Sequence, residues 1–136
     1  MFNAINISGS GLTAAKKWLE VTSNNIVNAN TTNGVDQEPY HRRRVALQQK
    51  SFHDLLGKDG KAGVQISSIS VDRNEKMIYD PMHPHANKDG YVRYPNVDLT
   101  AEMTNAMVAQ KMYEANTTVL NANKKMLDKD LELGRG

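Results

Sequence analysis

The first thirty residues carry a repeat that leaves little freedom in how the chain folds. Ile5, Ser8, Leu12, Ala15, Leu19, Thr22, Ile26 and Ala29 follow one another at steps of three and four without a miss. This is a heptad seam, the spacing that lets one helix lie along another. Every seventh position is a large aliphatic residue: Ile5, Leu12, Leu19 and Ile26. The positions between them are Ser, Ala, Thr and Ala, small enough to let a neighbouring backbone come close. As one helix, residues 4–30 span roughly 40 Å. Such a seam needs a partner of similar length.

The other end of the chain supplies one. Leu99, Ala106, Tyr113, Leu120 and Leu127 recur every seven residues, and Met112, Val119, Met126 and Leu133 form a second set one residue out of step. The two sets make a stripe wider than a two-helix seam, suited to more than one neighbour. Asn96 or Asp98 can cap this helix, Glu102 lies in its first turns, and Lys124, Lys125 and Lys129 gather near its end, which suits the helix dipole. Residues 97–131 span about 50 Å as one helix. Asn116 and Asn123 fall inside the stripe. They are either surface residues on a bent helix or seam residues that set register at some cost in stability.

At the amino end, the first helix is expected to start near Asn3 or Asn6 and to fray between Asn28 and Asn33, with Asn33-Gly34 as a turn. Gly9 and Gly11 weaken its first turns by roughly 1 kcal/mol each relative to Ala. Between the helices the character changes. All four prolines, Pro39, Pro81, Pro84 and Pro95, fall between residues 35 and 95. Tyr40–Gln48 begins with strand composition. Lys58-Asp59-Gly60 is a turn candidate. Val64–Val71 alternates, slips at Ser67-Ser68 and resumes at Ile69, the pattern of a strand with a bulge or bend. Met77–Tyr79 and Tyr91–Tyr94 are short extended pieces around the turn Asp89-Gly90. The fold class is therefore mainly α: long N- and C-terminal helices in a coiled-coil pair, 1–33 with 96–136, around a small β-rich or irregular insert, 34–95.

Composition removes several functions. There is no Cys, so thiol catalysis, disulfides and thiolate metal sites are excluded. The charge of +2 argues for neither nucleic acid nor membrane as a partner. No run of ~18 apolar residues is present, so no helix is expected to span a membrane. The opening MFNAINISGSG lacks a basic region and a continuous apolar run, so it does not read as a Sec-type signal. His83 and His85, with His41 or His53, could suggest a metal, but a His-Pro-x-Ala turn that packs locally accounts for them without one, and no metal or cofactor is expected. His41-Arg42-Arg43-Arg44 reads as a charged strand edge rather than a nucleic-acid patch, and it could pair with an acidic face of a neighbour. Gly9-Ser10-Gly11 follows no strand and is too short for a phosphate loop. No catalytic constellation or small-molecule substrate site is evident.

The ends also resemble a known family, the axial proteins of the bacterial flagellum: rod, hook and filament. Ser23–Thr31, SNNIVNANT, is similar to the amino-terminal motif of rod and hook proteins, with Val27 where Ala is usual. Pro39-Tyr40 with its basic run, Tyr79-Asp80-Pro81 followed by His83-Pro84 and Ala86, Gly90-Tyr91-Val92 leading into Pro95–Asp98, and Tyr113–Asn116 leading to Val119-Leu120-Asn121 narrow the likeness to the proximal rod. It covers nearly the whole chain but carries nothing over from Gln49 to Asn74. The resemblance implies a non-enzymatic building block of the basal body. It also implies export by the flagellar type III apparatus without a cleaved signal, and helical stacking with itself and other rod proteins around a channel. The terminal helices would form the inner tube of a shaft that carries torque across the periplasm, and would be loosely folded before assembly. The residues expected at helix–helix and subunit contacts are Ile5, Leu12, Leu19, Ile26, Leu99, Met112, Tyr113, Asn116, Val119, Leu120, Asn123 and Leu127. The competing reading is a cytoplasmic helical adaptor or export chaperone.

Overall fold

A computed structural model describes residues 2–50 and 62–135. Helix α1 spans Phe2–Val27 and helix α2 spans Leu99–Gly134. Between them lie strands β1 (Arg42–Gln49), β2 (Val64–Asp72), β3 (Glu75–Tyr79) and β4 (Tyr91–Pro95). Two long helices around a small β insert are the architecture expected from the sequence. The turn candidate at Lys58-Asp59-Gly60 lies outside the described residues.

Each helix ends for an identifiable reason. At the close of α1, the backbone N–H and the side-chain amide of Asn28 both donate to the Asn24 carbonyl, at 3.1 and 2.9 Å. The side chain competes for the bond that would continue the helix, which stops it at Val27, just before the expected stretch. The following turn closes by Gln37 N–H donating to Gly34 O, and Asn33 Nδ2 spans it to Glu38 O at 2.6 Å. The turn thus runs from Gly34 to Gln37, just past the expected Asn33-Gly34. Asp98 caps α2, accepting from the N–H groups of Thr100 and Ala101 at 3.0 and 3.2 Å. At its far end α2 runs past residue 131. Lys124, Lys125 and Lys129 therefore lie before the last turn, which holds no basic residue, contrary to the dipole reading. Lys129 pairs instead with Glu132 one turn on, at 2.9 Å.

The insert is two antiparallel ribbons, β1 with β2 and β3 with β4. Arg42 lies opposite Asp72 and Ala46 opposite Ser68, but Leu47 lies opposite Ile66. Ser67 is the extra residue, so the break in alternation at Ser67-Ser68 is a β-bulge. Its hydroxyl donates to the Ala46 carbonyl across the ribbon at 3.2 Å. In the second ribbon Glu75 and Arg93 form a two-pronged ion pair, both bonds 2.6 Å. Donation from Arg93 holds the Glu75 carboxyl below the usual glutamate range.

The buried centre contains few large side chains. Among the described residues it includes Ser8, Gly11, Ala14, Ala15, Val21, Thr22 and Asn25 on α1, Glu102 and Ala109 on α2, and Pro39, Val92, Pro95 and Val97 between them. The helices run antiparallel, because Asn25 meets Glu102 and Gly11 meets Asn116. Continued at that register, the start of α1 lies level with Lys125, and the last turns of α2 run past it.

Candidate functional site

Two features stand out from this scaffold: an uncovered apolar surface along α2, and a polar cluster around two buried side chains where both helices meet the insert.

The face that α1 turns inward is not centred on its large aliphatic residues. The small seam members Ser8, Ala15 and Thr22 are buried, together with Gly11, Ala14, Val21 and Asn25, which lie one turn-step to the side. Ile5, Leu12, Leu19 and Ile26 sit half-buried on the flank. Small residues allow close backbone approach, so the pair closes on them and the bulky set is turned partly outward. On α2, Met112, Asn116, Leu120, Asn123 and Leu127 are half-buried, while Leu99, Tyr113 and Val119 are exposed, at 43, 44 and 49 %. Exposed apolar residues border the buried line of α2 on both sides. Leu99, Met103 and Tyr113 lie on one side, and Val108, Val119, Met126 and Leu133 on the other. An open groove of about 570 Å³ lined by Thr104, Met107, Val108, Lys111 and Met112 runs beside the second row.

Asn116 packs between the two helices. Its amide lies directly over Gly11: a Cβ added there would stand 2.7 Å from Asn116 Oδ1 and 2.8 Å from its Cγ and Nδ2. Asn116 Nδ2 donates back to the Met112 carbonyl at 2.8 Å, which fixes the side chain in the seam. The glycine that weakens α1 is therefore the socket that receives Asn116. Asn123 is half-buried, and its buried Nδ2 has no hydrogen-bond partner among the described residues. We expect Gly11→Ala to lose about 1 kcal/mol despite the helix-propensity gain, and the double variant Gly11→Ala/Asn116→Ala to recover it. Urea unfolding followed by circular dichroism checks both values.

The junction centres on Asn25, 1 % exposed, and Glu102, 2 % exposed. Asn25 uses every hydrogen-bonding position of its amide. Nδ2 donates to Arg43 O at 2.7 Å and to Glu102 Oε2 at 3.0 Å. Oδ1 accepts from Arg43 N at 3.0 Å and from Tyr40 OH at 2.8 Å. Holding both the N–H and the C=O of Arg43, the side chain treats β1 as a neighbouring strand would. Glu102 Oε1 accepts from Arg42 Nε at 2.7 Å. Burial pushes the Tyr40 hydroxyl above its ordinary pKa, with Arg43 opposing and Glu102 adding to the shift. A cleft of about 190 Å³ beside the cluster is lined by Trp18, Thr22, Arg42, Arg43, Glu102 and Asn105, among others.

This geometry corrects the reading of the basic run at Arg42, while Arg43 and Arg44 remain at a solvated edge. Strand alternation puts Arg42 and Arg44 on one side, and both are used inside the chain, Arg42 by Glu102 and Arg44 by Asp72 at 2.9 Å. Arg43 and Arg44 are both exposed, and Arg42 is the half-buried member. The histidines behave as a local turn. His83 Nδ1 accepts from His85 N at 3.1 Å, the two rings lie 5.4 Å apart, and His85 Nδ1 meets Thr32 Oγ1 at 2.9 Å. His53 lies outside the described residues.

Asn25 and Glu102 are functional candidates that the sequence reading did not single out. The signal was present for Glu102. Leu99, Glu102, Ala106, Ala109, Tyr113, Asn116, Leu120, Asn123 and Leu127 also step by three and four, and a carboxylate in that series is out of place.

Comparison with known proteins matches both helical ends. Residues 5–33 match the family described as flagella basal body rod protein. Residues 88–133 match the family described as flagellar basal body rod FlgEFG protein C-terminal. Among curated relatives, the flagellar basal-body rod protein FlgC of Bacillus subtilis is 42% identical, over 98% of this chain and 98% of its own. FlgC of Salmonella typhimurium is 39% identical, over 99% and 98%. FlgC of Borreliella burgdorferi is 36% identical, over 100% and 99%.

Proposed function

The chain belongs to the FlgC family of flagellar basal-body rod proteins, and from this we propose how it builds the rod of which it is a structural subunit. Residues 1–33 and 96–136 act as one axial core, a coiled-coil helix pair, with 34–95 as an outer insert. The core packs helically against its own copies and other rod proteins. The assembled shaft carries torque across the periplasm, and the subunit reaches it through the flagellar type III export apparatus without a cleaved signal. The relatives' names describe a structural part, so no reaction is assigned.

One observation carries this reading. The intrachain pair closes on small residues, and α2 keeps an apolar row on each side of the closed seam. A helix with rows on two flanks has more than one neighbour to meet. Contacts along the axis would be made by Leu99 and Tyr113 on one flank and Val119 on the other, with Ile5, Leu12, Leu19 and Ile26 completing them from α1. Met112, Asn116, Leu120, Asn123 and Leu127 would hold the pair itself in register. Among the described residues no helix is long and apolar enough to cross a membrane.

The test is mass spectrometry of detergent-purified basal bodies, together with deletion and complementation of the gene. The chain is expected in the basal bodies, and the deletion is expected to abolish swimming until the gene is restored. Absence from basal bodies, with the chain confined to the cytoplasm, would refute the proposal in favour of an adaptor.

A further inference from the structure

We propose that Asn25, Glu102 and Arg42 form a three-way lock that makes closure of the helix pair conditional on the seating of β1. Glu102 is 2 % exposed and projects from the first turns of α2 into the line where α1 packs. Its two oxygens take donors from two different elements: Oε2 from Asn25 on α1, at 3.0 Å, and Oε1 from Arg42 on β1, at 2.7 Å. Among the described residues Arg42 is the one ion-pair partner of Glu102. Val21, Thr22 and Ala109 nearby are buried and uncharged, and although Arg43 and Arg44 line the same cleft, among the described residues neither is paired with Glu102.

The consequence follows from the cost of dehydrating charge. With the helices apart, the Glu102 carboxylate is hydrated and loses nothing. With the helices together but β1 away, it lies between them with a single neutral amide, and a buried charge lacking its counter-charge is strongly unfavourable. Only with β1 seated is the charge matched. The coupling runs in both directions, as any linkage must. Asn25 holds the two backbone groups of Arg43, so α1 presents the strand, and the strand presents the guanidinium that admits α2. An apolar residue at 102 would let the two helices pair without reference to the insert. The lock also gives an order of closure, β1 onto α1 first and α2 last, which is the order of these elements along the chain.

Hydrogen exchange by mass spectrometry on the full chain tests this, comparing wild type, Arg42→Met and Arg42→Met/Glu102→Leu. In Arg42→Met, exchange across residues 99–109 is expected to rise about tenfold or more, although the substitution lies on a different element. In the double variant, with nothing left to neutralise, exchange across 99–109 is expected to return to within about threefold of wild type. Three results would overturn the lock: faster exchange in Arg42→Met confined to β1, no recovery in the double variant, or a wild-type chain in which 99–109 exchanges freely while β1 is protected. Should Arg42→Met fail to fold, the double variant decides: folding supports the lock, and failure to fold overturns it.

Discussion

Asn25→Ala is expected to destabilise the chain by about 3 kcal/mol or more, measured by urea unfolding, whereas Asn24→Ala next to it changes stability by about 0.5 kcal/mol or less. The contrast comes from geometry. Both asparagines belong to the same polar run, but Asn24 is exposed and Asn25 is 1 % exposed. Truncation of Asn25 removes four hydrogen bonds at once. It also leaves the part-buried Arg43 backbone groups and Tyr40 hydroxyl and one buried Glu102 oxygen without their partner, and orphaned buried groups cost more than the bonds themselves are worth. Alanine offers no polar atom to replace the lost amide, and its neighbours Val21 and Thr22 are themselves buried.

Asn25→Asp adds a direction in pH. It places a second carboxyl at the position of an amide that lies 3.0 Å from Glu102 Oε2. Two carboxylates that close cannot both ionise cheaply, and Glu102 already has Arg42 as its counter-charge, so the introduced carboxyl is the one held neutral to higher pH in the folded chain than in the unfolded one. A group whose folded pKa is raised contributes stability at low pH and loses it as pH rises. The variant is therefore expected to be more stable near pH 4 than near pH 7, while wild type shows no such gain on acidification. Thermal melts at the two values check this. A variant that is equally stable at both would mean that the pocket admits water and that Glu102 is not held as the structure places it.

What could be read from the sequence divides along a physical line. Elements set by local pattern were legible: two long helices from heptad spacing, an irregularity at Ser67-Ser68 from a break in alternation, and a cap at Asn96 or Asp98, of which the structure uses Asp98. Facts set by tertiary contact were less so. A heptad count gives the stripe but not the rotation of the helix about its axis. The sequence could therefore suggest that Leu12 or Leu19 faces the partner, when the pair instead closes on Gly11 and Ala15 because smaller residues allow closer approach. Arg42 read as a solvated edge because its counter-charge, Glu102, is sixty residues away in sequence. Glu102 read as a dipole partner because an acidic first turn is ordinary, and only its position in the three-four series hinted that it was buried. Gly11 read as a weakness until Asn116 was seen lying in the space it leaves.

Val119→Asp and Met126→Asp are each expected to abolish swimming in a complementation assay while leaving the isolated chain's unfolding within about 0.5 kcal/mol of wild type. Both side chains are already in water, 49 and 55 % exposed, so the subunit itself has little to lose. The effect belongs to assembly. If this flank of α2 lies against a neighbouring rod subunit, the aspartate must be dehydrated without a counter-charge at every repeat. A cost of about 3 kcal/mol corresponds to roughly a hundredfold weaker contact. Repeated around a rod, that loss leaves no continuous shaft, so the readout is close to all-or-none. Thr118→Asp is the control. It is one residue away and also exposed, but it points around the helix from the apolar rows and donates to its own helix at Glu114 O. Swimming should survive there. If Val119→Asp and Met126→Asp both swim normally, this flank is not a contact between subunits. The argument that α2 is built for more than one neighbour would then have to rest on the opposite row, Leu99, Met103 and Tyr113.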